Sequence, residues 1–308
     1  VSTLYAAIDL PADWARDQAP SAAPARLPAL ESLAARGDSG PAPADWRRWA
    51  LERAGLAAPA GDLPLGRMLA AAQGLAPRPE DTWLLATPLT LRAGLSDVAI
   101  AARGTPLDRD GRAALAAQFN ADWQGTPWRL HAADPDWLLS HAGSLEVETN
   151  DPAALLGRAP QPPRGAGAPA LRRLSSELEM WLHAAPAAGC NALWLWGAGR
   201  APLAGTPRWP ALEGVDPALA AARALHPGAA ADARLVRWSL ADAHTDAGAD
   251  ADPLAAAEQR WFRPLARALA RGELARAELH VPGMTVVLGR VQRLRLWRRA
   301  RPWWELAA

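Results

Sequence analysis

The chain has no lysine. Its 33 basic residues are all arginine, set against 32 acidic residues and six histidines, for a formal net charge of +1. That near-neutral balance excludes a general electrostatic case for nucleic acid or an anionic membrane as partner. Cysteine is nearly absent as well. The single Cys190 excludes an internal disulfide and a multi-cysteine zinc site, and fits a reducing, cytoplasmic setting. No apolar run reaches the roughly 18 residues of a membrane span, and the first residues carry no basic segment followed by an apolar stretch. Neither membrane insertion nor secretion is therefore expected. Tyrosine (one) and phenylalanine (two) are also scarce.

Tryptophan fills the gap, with 16 residues. The tryptophans follow no fixed period, which excludes a solenoid or propeller, and they read as large core side chains whose N–H finds a partner. With 308 residues, half of them hydrophobic, the chain can bury a large core as one domain with an insertion or as two modest domains.

The periodicity predicts an α/β protein. Thr3–Asp9 reads as a first strand, and residues 11–28 as an Ala/Pro-rich loop. Pro28 opens a short helix that faces Leu30 and Leu33 inward and stops at Gly37. Further short helices are expected over Asp45–Gly55 and Gly66–Gly74, then a strand over Trp83–Thr90 broken by Pro88. Thr105 as cap with Pro106 and Asp108 in the first turn starts a helix that runs to Phe119 or Asn120. Extended pieces at Trp128–His131, Trp137–Leu139 and Leu145–Thr149, turning at His141–Ser144, suggest a small antiparallel module inserted into a larger body. Asp151 caps a short helix, and residues 159–170 form a linker. Leu171–Ala184 carries an amphipathic stripe of Leu171, Leu174, Leu178 and Trp181. A buried strand at Trp194–Trp196, a helix over Asp216–Leu225, a strand over Arg234–Ser239 and a long helix over Pro253–Arg271 follow. Ala277–Val281 and Thr285–Leu288 form a hairpin through Pro282 and Gly283. The expected division is a discontinuous core, 1–100 and 171–308, around an inserted α+β module, 101–170.

Candidate chemistry is sparse. The apolar run Asn191-Ala-Leu-Trp-Leu-Trp breaks into Gly197-Ala-Gly199-Arg200, the strand-then-open-turn pattern that α/β proteins place beside ligands. Gly197 and Gly199 let backbone N–H groups approach an anion, and Arg200 supplies charge. Neither a Walker loop nor a dinucleotide fingerprint is matched. Asp9 ends the first strand, where a ligand-binding carboxylate belongs. Asp242, His244 and Asp246 alternate on one side of an extended segment and can touch one ion, a pattern an Asp-rich loop also gives by chance. At the C-terminus Arg290, Arg293, Arg295, Arg298, Arg299 and Arg301 interleave with Trp297, Trp303 and Trp304. That composition suits single strands or a partner protein, and suits equally a terminal helix docked by Leu294, Leu296 and Trp297.

Several segments together resemble a known family. Asp9 after an N-terminal strand and Leu27-Pro-Ala-Leu-Glu-Ser-Leu-Ala-Ala-Arg-Gly37 are similar to the opening of the alkaline-phosphatase superfamily. Ala86–Val98, the module near 105–157, Ser176–His183 and Asn191–Arg200 resemble its archaeal-type cofactor-independent phosphoglycerate mutases. Closer still is a bacterial group of phosphoglycerate mutase-like, Rpf-type regulatory proteins, which Glu258–Leu265 and Leu296–Arg299 also fit. The resemblance implies an alkaline-phosphatase-like core sheet flanked by helices. In active members Asp and His sets bind two divalent ions and a Ser carries the phosphoryl group. Only Asp9 carries over: the expected Gly after it is missing, no Asp-His pair follows, and Ser32, Ser39 and Ser96 do not match the nucleophile. The resemblance thus implies a pseudoenzyme, a cytoplasmic regulatory or scaffold protein with no required cofactor. It would act on a protein partner or a small phosphorylated ligand through Asp9, Asn191, Gly197, Gly199 and Arg200. A divergent metal-dependent mutase or phosphohydrolase using Asp9, Asp242, His244 and Asp246 is the alternative.

Overall fold

The computed structural model describes residues 3–9, 26–43, 45–58, 60–93, 98–104, 107–134, 137–155, 161–184, 190–214, 216–239, 252–281, 284–295 and 297–303. The chain forms two compact units, one of Val1–Ala57, Gly205–Val215 and Gly228–Ala308, the other of Ala58–Ala204 and Asp216–Pro227. These borders differ from the division expected at 100 and 170. The strands that build the larger sheets are β1 (Thr3–Asp9), β2 (Asp38–Pro41), β3 (Thr82–Ala93), β4 (Val98–Arg103), β5 (Trp128–Ala132) and β6 (Trp137–His141). They continue with β7 (Ala192–Trp196), β8 (Arg208–Glu213), β9 (Ala229–Ser239), β10 (Arg276–Val281) and β11 (Met284–Gly289).

The first unit holds a mixed sheet in the order β8-β9-β1-β10-β11-β2. β8, β9, β1 and β10 run parallel, and β11 and β2 are antiparallel additions. Alternation along the strands separates two faces. Leu4, Ala6 and Ile8 of β1, Ala277 and Leu279 of β10, and Val286 and Leu288 of β11 share one apolar core with Leu27, Leu30, Leu33, Trp261, Phe262, Leu265 and Leu269. The helix Pro28–Arg36 starts on its proline, as expected. The helix expected over 253–271 begins on the Asp252 cap, whose carboxylate accepts from Leu254 N at 2.9 Å. It runs through Pro253–Ala257, widens to a π-turn over Glu258–Phe262, and ends with Arg263–Arg271 at the left-handed Gly272. Pro264 accounts for the π-turn: its ring displaces the carbonyl one turn back, and the wider turn absorbs the shift.

β2 and β8 have no counterpart in the expected elements. Asp38-Ser-Gly-Pro is exposed at all four positions at the sheet edge and reads locally as a turn. β8 carries Pro210, and its pairing with β9 slips between Trp209 and Ala211, as a proline in an outer strand requires. Among the described residues the expected terminal helix does not form. A 3₁₀ turn, Gln292–Leu294, is found there, with Leu294 and Trp297 64 % and 76 % exposed. Trp303 does the docking at 4 % exposure, its backbone N–H donating to Glu31 Oε1 at 3.2 Å. Leu296 and Trp304 lie outside the described residues.

The second unit is built on an antiparallel sheet ordered β4-β3-β6-β5, with β7 on the other edge of β3. β3 runs unbroken through Pro88, contrary to expectation. Pairing on that edge passes there from β6, which ends opposite Ala86, to β4, which begins opposite Leu89, so no ladder donor is needed from residue 88. The helix expected from Thr105 starts instead at Asp108, whose carboxylate accepts from Gly111 N at 2.8 Å, and extends to Asp122. The carboxylate takes the capping role because its own backbone is extended (ψ 175°). Leu145–Thr149 forms no strand, only a bridge between Glu148 and Arg164. Leu171, Leu174, Leu178 and Leu182 of the helix Ala168–Ala184 pack with Phe119, Trp128, Trp137, Leu193 and Leu195.

Candidate functional site

The face of the first unit's sheet opposite the core carries polar side chains in an interior position. Along Arg276-Ala-Glu-Leu-His-Val281 the odd residues enter the core, which leaves Arg276, Glu278 and His280 on the other face. β10 is flanked by β1 and β11, and the helix Trp46–Arg53, capped by Asp45, lays Trp49 and Arg53 over this row. Glu278 is 2 % exposed. Its Oε1 accepts from Trp49 Nε1 at 3.3 Å and from Arg53 Nε at 2.5 Å, and its Oε2 accepts from Arg276 Nη2 at 3.3 Å. A carboxylate this buried is tolerated because cations and donors surround it. His280, fully buried, donates from Nε2 to the Pro43 carbonyl at 2.8 Å and lies 5.0 Å from the Trp49 ring. Tyr5 meets Trp49 edge-on at 6.1 Å. Thr285, paired with His280 across the ladder, is 5 % exposed, and its Oγ1 has no hydrogen-bond partner among the described residues.

A cleft of about 550 Å³ opens beside this cluster, lined by Tyr5, Arg53, Arg276, Glu278 and Thr285 and also by Asp38, Ser39, Glu52 and Val287. Asp38 is taken by Gln292 at 2.9 Å and by Arg295, and these partners hold its carboxyl below the usual carboxylate range. The lining runs along the sheet from Arg276, which opens β10, to Thr285, which pairs with His280 near its end. Ligand sites of open α/β sheets lie at the carboxyl ends of the strands, where Asp9 stands, its backbone paired with Ser239. Asp242, His244 and Asp246 lie outside the described residues. Among the described residues no three His, Cys, Asp or Glu side chains are grouped to hold a metal ion. Glu278 and His280, the buried carboxylate and imidazole of this face, are committed to protein partners and do not fit that role.

The Gly197–Arg200 turn belongs to the second unit. Gly197 is left-handed (φ +74°), and a Cβ there would stand 2.8 Å from Leu85 Cδ1; at Gly199 it would stand 2.0 Å from the Asp62 carbonyl oxygen. Both glycines therefore permit close backbone packing. Their amides are engaged: Gly197 N donates to Thr149 Oγ1 at 2.9 Å, and Gly199 N to Leu63 O at 3.2 Å. Asp62 accepts from Thr149 N at 2.9 Å and from its hydroxyl. Burial pushes the Asp62 carboxyl above its ordinary value, against the opposing pull of these bonds. Asn191 brackets Leu91, accepting from its N–H at 2.7 Å and donating to its carbonyl at 2.8 Å. Arg200 donates to Ser144 Oγ and, at 3.2 Å, to Pro79 O. Trp194 and Trp196 donate to Asn150 O at 2.7 Å and to Thr87 Oγ1 at 3.0 Å. Cys190 is half-buried, its thiol pushed up to about 11 by desolvation, which keeps it protonated and unreactive at neutral pH.

Sequence reasoning passed over Trp49, Arg53, Glu278 and His280. The available signal was the alternation of Arg, Glu and His with Ala, Leu and Val inside a strand expected to pair.

No family model matches the sequence, and no curated protein does. Similar solved structures include the following two. A cofactor-independent phosphoglycerate mutase from Thermoplasma acidophilum DSM 1728 is 16% identical over 94% of this chain and 90% of its own, with a TM-score of 0.34. The PH0037 protein from Pyrococcus horikoshii is 13% identical over 95% of this chain and 89% of its own, with a TM-score of 0.43. At these scores neither likeness carries an argument about this chain. Among the described residues no helix is long and apolar enough to cross a membrane.

Proposed function

We propose that the chain is a non-catalytic, ligand-binding regulatory or scaffold protein of phosphoglycerate mutase-like fold, of the Rpf-type group that its sequence resembles. The observation that carries this is the commitment of Glu278. The carboxylate buried on the polar face spends both oxygens on Trp49, Arg53 and Arg276. His280 beside it is wedged between Trp49 and the Pro43 carbonyl. An acid–base group needs a reactive atom within reach of substrate; these two brace the fold beside a cleft. Arg53 and Arg276 are left to bind and orient a small molecule there, with a small phosphorylated ligand as the competing occupant, and the regulatory role would be exercised on a cytoplasmic protein partner.

One observation favours the alternative, a divergent metal-dependent mutase or phosphohydrolase. The register sets Asp9 beside Ser239, three residues before Asp242 in the sequence. Asp242, His244 and Asp246 thus follow directly from the strand next to Asp9. Any divalent ion bound there would act as a Lewis acid towards phosphoryl oxygen. Thermal denaturation with Mn²⁺ or Zn²⁺ separates the two. The non-catalytic protein shows the same midpoint with and without metal, whereas a rise abolished by Asp9→Asn would establish the alternative.

A further inference from the structure

We propose that the cleft beside Glu278 is a binding site for a small zwitterion, an α-amino acid with an apolar side chain. The inference rests on the non-catalytic, ligand-binding role of this face and names the ligand class.

The lining of the cleft carries both signs of charge. Arg53 and Arg276 share the single carboxylate Glu278, so one positive charge is left over. Their side chains remain 32% and 52% exposed, and each guanidinium has N–H groups beyond those spent on Glu278. Glu52 lines the same cleft and has no partner among the described residues, while Asp38 is already neutralised by Arg295. A dianionic phosphate meets Glu52 as a like charge, and a simple amine meets the arginines. A molecule with a carboxylate at one end and an ammonium a few ångströms away satisfies both ends.

The lining and the size of the cleft fit that ligand. Tyr5 and Val287 add apolar surface to the lining, against which a side chain such as that of leucine or phenylalanine can lie. A cleft of about 550 Å³ is within the usual range for small-molecule sites.

Isothermal titration calorimetry on the full chain tests this, with L-leucine and L-phenylalanine as probes. N-acetyl-L-phenylalanine lacks the ammonium, phenethylamine lacks the carboxylate, and inorganic phosphate is the anion control. Expected are binding of at least one amino acid and a loss of about tenfold or more for each truncated analogue. Glu52→Gln should weaken binding about tenfold without moving the thermal midpoint, since Glu52 is exposed and has no partner among the described residues; Arg276→Gln should weaken it at least as much. The proposal is overturned if neither amino acid binds, if the acetylated analogue binds equally well, if phosphate binds more tightly, or if Glu52→Gln changes nothing. Failure on any of these counts leaves the absence of metal-dependent turnover to be judged separately, because that is read from activity and not from the cleft.

Discussion

Replacing Glu278 by glutamine isolates what the buried carboxylate does. The amide keeps the size of the side chain and an oxygen to accept from Trp49 and Arg53, which now stand at 3.3 and 2.5 Å from Oε1. Its NH₂ group faces Arg276 Nη2, which now donates to Oε2 at 3.3 Å, so one hydrogen bond becomes a donor–donor contact and two guanidiniums lose their counter-charge. Removing one member of a fully buried pair costs about 3–5 kcal/mol. Here the carboxylate is 3% exposed but the arginines are 32% and 52% exposed and can turn part of their charge to water. The expected loss is therefore about 2 kcal/mol. Urea denaturation measures it, as a lower midpoint with little change in slope. A loss under about 0.5 kcal/mol, within the range of ordinary surface substitutions, would refute the claim that Glu278 braces this face. The double variant with Arg276→Gln should lose less than the sum of the single losses, because the two sites share one interaction.

Gly199→Ala sets a Cβ 2.0 Å from the Asp62 carbonyl oxygen and should cost about 3 kcal/mol, at the upper end of overpacking, read from the thermal midpoint; an unchanged midpoint would mean the turn is loosely held. Trp303→Ala, which removes a side chain 4 % exposed, should cost about 3–5 kcal/mol. Trp297→Ala, at 76 % exposure, should stay within about 0.5 kcal/mol, and the reverse order would contradict the docking described for the C-terminal segment. The carboxyl of Asp62 is raised by burial in the folded state, so its proton is bound more tightly there than in the unfolded chain. It therefore adds stability as pH falls from above the folded value towards the unfolded value of about 3.9. Asp62→Asn should abolish that increment, measured as the difference in thermal midpoint between neutral and mildly acidic pH.

Elements with a strong period or a clear stop signal were legible in the sequence. The strand Thr3–Asp9, the proline-led helix ending before Gly37, the stripe of Leu171, Leu174 and Leu178 and the hairpin of β10 and β11 all formed. What sequence reading missed was set by neighbours. Pro88 breaks a strand only if a partner needs its N–H, and here the neighbour changes at that residue. Leu294 and Trp297 look like docking residues until Asp38 draws Gln292 and Arg295 to itself and leaves the anchoring to Trp303. Glycine reports permission without saying for what. At Gly197 and Gly199 the space is filled by Leu85, Leu65 and the 62–63 backbone. The cluster around Glu278 joins Trp49 and Arg53 to residues more than two hundred positions away, and no local spacing encodes such a meeting.

The central claim is that this chain binds without catalysing. The most direct test is turnover of 3-phosphoglycerate and of p-nitrophenyl phosphate by the full chain, with Mn²⁺ or Zn²⁺ supplied and with metal chelated. A non-catalytic protein gives no rate above the uncatalysed background under either condition, and Asp9→Asn changes nothing. A metal-dependent rate that Asp9→Asn abolishes would contradict it.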